Sequence, residues 1–142
     1  MVDNNIYLKF PAISENEAFA RVVVAAFVTR LDPTLEEMDD IKTAVSEAVT
    51  NCIVHGYENT YGEIELLAWV KDRELSIEIR DKGVGIEDVK KAMEPLYTTK
   101  AKEERSGMGF SCMEVFMDEL LVESKVGEGT TVKMKKVIGV GE

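Results

Sequence analysis

Residues 46–57, SEAVTNCIVHGY, carry the pattern on which the fold turns. The stretch has the spacing of the last turns of a helix. It places Glu47 and Asn51 one turn apart, among Ala48, Val49, Cys52 and Ile53. At about 100° per residue, Ala44, Glu47 and Asn51 fall on one shoulder of that helix, beside its apolar stripe rather than opposite it. A carboxylate there can accept a proton, and an amide oxygen is a hard ligand suited to magnesium. A solvated helix edge would hold the same two residues, so the pair alone leaves both readings open. His55, in the last turn, is equally explained as a C-terminal cap.

Working outward, Thr34 and Glu37 have the spacing of a capping box and start this helix. Met38, Ile41, Val45, Ala48, Val49 and Cys52 form its stripe, and Gly56 is expected to stop it. The segment LDPT, 31–34, ends an earlier helix. Ser14 and Glu17 mark that helix's start, and its buried stripe is expected at Phe19, Val22, Val23, Ala26 and Phe27. Before it, Ile6, Leu8 and Phe10 alternate as in a strand with one buried face. Beyond the central helix, Ile64, Leu66, Ala68 and Val70 alternate. KDRE turns the chain, and Leu75, Ile77 and Ile79 alternate again. IEDVKKAM, 86–93, predicts a short helix. YTTKAKEERSGMG, 97–109, has no apolar period and predicts a long loop, of the kind that usually carries function. FSCMEVFMDEL is expected to be helical through Phe110, Met113, Phe116, Met117 and Leu120. LLVES, a KVGEGT turn and TVKMKKV close the chain.

Strands with one apolar face and helices with one apolar stripe predict a two-layer α/β sandwich. Its sheet should be mixed and mostly antiparallel, with helices on one face and solvent on the other. Residues 1–142 are expected to form one domain. The apolar fraction of 45% and charged fraction of 31% are ordinary for a globular protein. The formal charge of −10 argues against nonspecific nucleic-acid binding, which needs a basic footprint. No stretch approaches the ~18 apolar residues of a membrane span, and MVDNNIYLKF lacks the features of a signal peptide. The cytoplasm is therefore the expected location. Cys52 and Cys112 have no CxxC spacing, and with His55 the only histidine a zinc site would have to recruit scattered ligands.

Three glycine pairs punctuate the second half. In IRDKGVGI, Asp81 stands at a strand end, and Gly83 and Gly85 let the backbone turn and approach a ligand closely. By itself this is equally an ordinary Asp-Gly turn. SGMGF opens a helix, a ready anion site, and VGEGTT opens a strand. None is a P-loop or a GxGxxG fingerprint.

The order of these pieces is more specific than any one of them. It resembles the ATP-binding superfamily of DNA gyrase, the Hsp90 chaperone, the histidine kinases and the MutL repair protein, over Thr34 to Val137. EAVTNCIVHGY is similar to that superfamily's N box, DKGVGI and SGMGF to its glycine boxes, and GEGTT to its last box. The resemblance implies a Bergerat-type ATP-binding fold. A chain of this size, with SEAVTN, PLYTTK, ERSGMGF and NEAFARVVVAAF, resembles the bacterial anti-sigma factors that are also serine kinases. The sporulation, sigma-F type is nearest and the stress-response type is the runner-up.

That resemblance implies roles. Glu47 corresponds to the general base that takes the proton from an attacking serine, and Asn51 to the magnesium ligand. Asp81 corresponds to the acceptor of the adenine amino group, with Gly83 and Gly85 giving room for the ring. Thr98, Thr99 and Lys100, with Arg105, Ser106, Gly107, Met108 and Gly109, match the lid over the phosphates. Thr130 matches a residue at the adenine end, and Asn16, Phe19 and Arg21 match a partner-binding surface. The implied ligands are ATP or ADP with Mg2+. The implied partners are a sigma factor, an anti-anti-sigma protein phosphorylated on serine, and a second copy of the chain. Two other classes stay open: a binding module that uses nucleotide only for shape, and an ATPase whose base activates water.

Overall fold

The computed structural model describes residues 2–93 and 109–139. Strand β1 (Asn4–Pro11) leads into helix α1 (Glu15–Val28), a 3-10 turn at Thr29–Leu31, and helix α2 (Leu35–Asn51), which continues as a π-turn at Cys52–Gly56. Strands β2 (Glu63–Lys71) and β3 (Glu74–Asp81) follow, then α3 (Val89–Ala92), α4 (Gly109–Phe116), β4 (Glu119–Lys125) and β5 (Gly129–Val137). The strands form one sheet in the order β1-β2-β3-β5-β4. Every pairing among the described residues is antiparallel. The sandwich class holds, and the mixed, mostly antiparallel sheet narrows to an antiparallel one.

Register explains why one face is dry. Leu8 pairs with Leu66 and Leu66 with Ile79. Ile79 pairs with Val132, and Val132 with Val122. Ile6, Ala68, Ile77, Met134 and Leu120 form a parallel row two residues away. Because side chains alternate with period 2, such a register puts every strand's apolar set on the helix side at once, and a one-residue slip would expose it all. The opposite face carries charge, with Lys133 paired to Glu123 at 3.0 Å and Arg80 to Glu78 at 2.9 Å.

Helix α2 is the middle of the helical layer, flanked by α1 and α4. Its capping box forms as expected: Thr34 Oγ1 accepts the Glu37 N–H at 3.0 Å, and Glu37 Oε1 accepts the Thr34 N–H at 2.9 Å. Ile41, Ala44, Val45, Ala48 and Val49 are fully buried along it.

Helix α1 departs from expectation twice. Ser14 is already in helical conformation and makes no side-chain cap, so no capping box forms there. The buried stripe is Ala20, Val24 and Val28, while Phe19 and Val22 face outward. Both stripes satisfy helical spacing. Of the expected stripe, Phe27 packs partly buried against the core and Val23 is half-buried, so the buried face is turned around the helix rather than replaced.

The last helix is also shorter than its apolar spacing suggests. It ends at Phe116, and Leu120 belongs to β4. The Asp118 N–H donates to Lys135 O at 2.9 Å and the Asp118 carboxylate accepts the Val137 N–H at 2.6 Å. Edge pairing thus captures the chain before another helical turn can form.

Candidate functional site

Chemistry-bearing residues gather where α2 ends. After Asn51 the helix widens: the Tyr57 N–H bonds Cys52 O, five residues back, at 2.8 Å. Such π-turns are frequent at functional sites. Gly56 does not stop the helix in a left-handed conformation as expected; Glu58 and Asn59 take the positive φ values, 53° and 63°. What Gly56 supplies is absence of bulk. A Cβ on it would lie 2.8 Å from Asp81 Oδ2, and a Cβ on Gly83 would lie 2.0 Å from Gly56 O. The Val84 N–H also donates to Gly56 O, at 2.8 Å. The DKGVG turn is therefore clamped to the end of α2, with no room for a side chain between them.

Asp81 ends β3 opposite Thr130 of β5, and Thr130 stands opposite Ser124 of β4. These three polar residues terminate the apolar rows of three adjacent strands, so the dry face of the sheet acquires a polar margin. Asp81 is only 7% exposed. Its Oδ1 accepts the Gly83 N–H at 2.9 Å, and the Cys52 thiol and the Thr130 N–H favour the charged carboxylate as well. Burial pushes its pKa above the ordinary carboxylate value, with those hydrogen bonds pulling the other way. Burial likewise raises the Cys52 thiol well above its usual value, and the Asp81 charge adds to the rise.

Two supporting residues escaped the sequence reading. Ser124 Oγ accepts the Ile86 N–H at 2.7 Å and donates to Gly129 O at 3.0 Å. That leaves Thr130 as the donor in their 2.7 Å hydroxyl contact. Ser124 was visible as a polar residue in the alternation Leu120, Val122, Ser124. The Tyr57 hydroxyl accepts the Lys82 N–H at 2.7 Å and donates to Glu63 O at 2.5 Å, bracing the backbone just after Asp81.

Asn51 sits on the same helix end, 9% exposed, and neither Oδ1 nor Nδ2 has a hydrogen-bond partner among the described residues. A buried unsatisfied amide costs about 1–3 kcal/mol, and a folded protein retains one only for a reason. Its oxygen suits a hard cation. Among the described residues no three His, Cys, Asp or Glu side chains gather as a metal cage. A cation held by Asn51 would take its other ligands from phosphate and water, the usual habit of magnesium. Glu47 lies one turn earlier, half-buried. Gly109 is the first residue of α4; Thr98, Thr99, Lys100, Arg105, Ser106, Gly107 and Met108 lie outside the described residues.

The expected partner surface lies on α1. Phe19 is 51% and Val22 59% exposed, an apolar strip turned to solvent. The Arg21 guanidinium donates from Nη1 to Glu17 Oε2 at 2.6 Å and to Ser46 Oγ at 3.1 Å, which ties α1 to α2 beside Glu47. Asn16 Nδ2 donates to Pro11 O at 2.9 Å, pinning the start of the helix.

The model of the histidine kinase-like ATPase domain matches residues 10–136. An anti-sigma F factor of Clostridium acetobutylicum is 61% identical over 136 residues, covering 96% of this chain and 95% of its own length. One from Caldanaerobacter subterraneus is 61% identical over 137 residues, covering 96% of each chain. One from Clostridium botulinum is 57% identical over 141 residues, covering 99% of each. Among solved structures, the RsbU and RsbW domains of a Mycobacterium tuberculosis protein superpose with a TM-score of 0.65 at 16% identity, over 95% of this chain and 32% of that one. The catalytic domain of the histidine kinase ThkA gives 0.59 at 15% identity, over 94% and 96%. These two likenesses speak to the fold alone. Among the described residues no helix is long and apolar enough to cross a membrane. By family model and by relatives alike, the chain belongs to the histidine kinase-like ATPase domain family and, within it, to the anti-sigma F factors.

Proposed function

We propose that this single domain is a cytoplasmic anti-sigma factor that binds magnesium-ATP, holds a sigma factor of the F type inactive, and phosphorylates a serine of an anti-anti-sigma protein. The observation that carries the proposal is the clamp between the DKGVG turn and the end of α2. It brings a buried carboxylate, Asp81, to the helix that holds Glu47 and the amide of Asn51, unpartnered among the described residues. In this reading Asp81 accepts the exocyclic amino group of adenine, with Thr130 beside it. Asn51 would hold Mg2+ through its amide oxygen, and the metal would supply positive charge that offsets the phosphates. Glu47 takes the proton from the attacking serine hydroxyl. Thr98, Thr99, Lys100 and Arg105 to Gly109 are assigned to the phosphates by their match to the family's lid. ADP occupies the same site after transfer.

The exposed strip of Phe19 and Val22, with Asn16 and Arg21, is the surface offered to the sigma factor and to its competitor. A homodimer would present two such surfaces. The names borne by the relatives favour the sigma-F over the stress-response assignment.

Incubation with γ-labelled ATP and the serine protein separates the possibilities. Label on the partner supports the kinase. Label released as phosphate points to an ATPase, and absence of turnover to a module that uses nucleotide only for shape.

A further inference from the structure

Ser124 has no assigned part in binding, yet three segments around Asp81 converge on its hydroxyl. It stands half-buried on β4. Its Oγ accepts the Ile86 N–H at 2.7 Å and donates to Gly129 O at 3.0 Å, a carbonyl that can only accept. A hydroxyl has one proton and two acceptor sites, so its remaining contact, 2.7 Å to Thr130 Oγ1, receives the Thr130 proton. The Ile86 bond lies beside a second strap between the DKGVG turn and the β4–β5 hairpin, the Gly127 N–H to Val84 O at 2.8 Å. A Cβ on Gly85 would lie 2.2 Å from Lys125 O, so the turn rests flush on that hairpin. Ser124 is therefore saturated and held from three sides. Thr130, 9% exposed, has given up its proton and keeps acceptor capacity alone.

We propose that Ser124 is a positioning residue for purine selection: by taking the Thr130 proton it fixes that hydroxyl as an acceptor, so that Asp81 and Thr130 together answer the two N–H bonds of a 6-amino group. This rests on the assignment of Asp81 and Thr130 to the adenine end. The neighbouring Gly83 N–H is already committed to Asp81 Oδ1. A purine with an oxo group at position 6 brings lone pairs to the same place, and ionised Asp81 and Thr130 have no proton to offer it. An unanswered polar group in a buried site is costly, so rejection follows from the direction of one hydrogen bond.

The test is calorimetric titration with ADP and with inosine diphosphate, which carries an oxo group where ADP has the amino group. Wild type should prefer ADP. Ser124→Ala frees the Thr130 proton and should narrow that preference about 3- to 10-fold, the effect of one modest hydrogen bond. Thr130→Val removes the hydroxyl and should narrow it likewise. The double variant should narrow it no further than Thr130→Val alone, because Ser124 acts through Thr130. Should Ser124→Ala fail to fold, Ser124→Cys keeps the shape with a poor acceptor and should show the same narrowing. An unchanged preference in the Ser124 variant, an equal loss for both nucleotides, or a further narrowing on the valine background overturns the proposal and leaves Ser124 a strap for the turn. If wild type itself shows no preference for ADP, the adenine assignment falls, and this proposal with it. If Asp81→Asn erases a wild-type preference that Ser124→Ala leaves whole, this proposal alone falls.

Discussion

Asp81→Asn offers a test in which binding and stability should move in opposite senses. The substitution keeps shape and removes charge. The Asn oxygen can still accept the Gly83 N–H that Asp81 Oδ1 accepts at 2.9 Å, but an NH2 group replaces the second acceptor. A hydrogen bond to a charged group contributes about 1.5–3 kcal/mol, so ADP affinity should fall about ten- to a hundredfold. In a melting assay with ADP at a hundred times the wild-type Kd, linkage gives wild type about 2.7 kcal/mol of stabilisation. The variant should retain about 1.4 kcal/mol for a tenfold loss and about 0.4 for a hundredfold loss.

The free protein should respond differently. Burial raises the Asp81 pKa above its ordinary value, so the unfolded chain ionises first as pH rises. Stability therefore falls between the ordinary carboxylate value and the raised folded value, and the loss persists at neutral pH. Asp81→Asn removes that cost. At pH 7 the ligand-free variant should melt no lower than wild type, and the stability that wild type loses across the mildly acidic range should shrink. Unchanged ADP affinity would show that DKGVG is only a turn. A marked fall in the melting point without ligand would make the carboxylate structural and refute the assignment of its charge to ligand binding.

Glu47→Ala should cut single-turnover phosphotransfer by about 10²–10⁴ while leaving magnesium-ATP affinity near wild type; transfer at the wild-type rate would remove the α2 shoulder from the chemistry. Asn51→Ala should lose the magnesium-dependent part of nucleotide affinity along with rate, seen in titrations with and without the metal. Arg21→Ala should weaken at least one protein complex with ATP binding intact, and unchanged affinity for both partners would take Arg21 off the interface. Glu37→Ala should lower stability by about 1 kcal/mol, since Glu37 caps α2 at Thr34 and also accepts the Gly139 N–H at 3.0 Å. Because those hydrogen bonds hold the Glu37 pKa below its ordinary value, its contribution should be present above that value and fade as pH falls through the lower, folded one.

The sheet was legible because period-2 alternation has one solution when one face is buried. Ile64 to Val70 and Leu75 to Ile79 bury the residues that alternation picks out. Helix α1 was not legible to the same degree. Ala20, Val24 and Val28 compete with Phe19, Val22 and Ala26 at the same spacing, and a sequence does not state how closely two helices approach. The expected Phe27 does reach the core from the edge of the buried face, while Phe19, Val22 and Ala26 turn outward, so spacing gave the helix and not the rotation of its buried face. The same gap hid the end of α4, where apolar spacing runs on to Leu120 but the hydrogen bonds of Asp118 with β5 start a strand.

At the site, spacing fixed what shares a helix and could not say what meets across the fold. Glu47 and Asn51 were adjacent on α2 from the sequence. That Asp81 meets the same helix end through Gly56 and Cys52 depends on a strand-to-helix approach that only the assembled layers define. Yet the meeting left a trace in the sequence. Leu75, Ile77, Ile79 ends in Asp81; Met134, Val132 ends in Thr130; Leu120, Val122 ends in Ser124. Three apolar rows each close on a polar residue, and register sets all three side by side. A buried polar group is costly unless it is paired, and one such ending would be an accident of a strand margin. Three aligned endings make a polar margin under the helical layer whose members satisfy one another, which leaves the amide of Asn51, unpartnered among the described residues, as the group there that a polar ligand would satisfy.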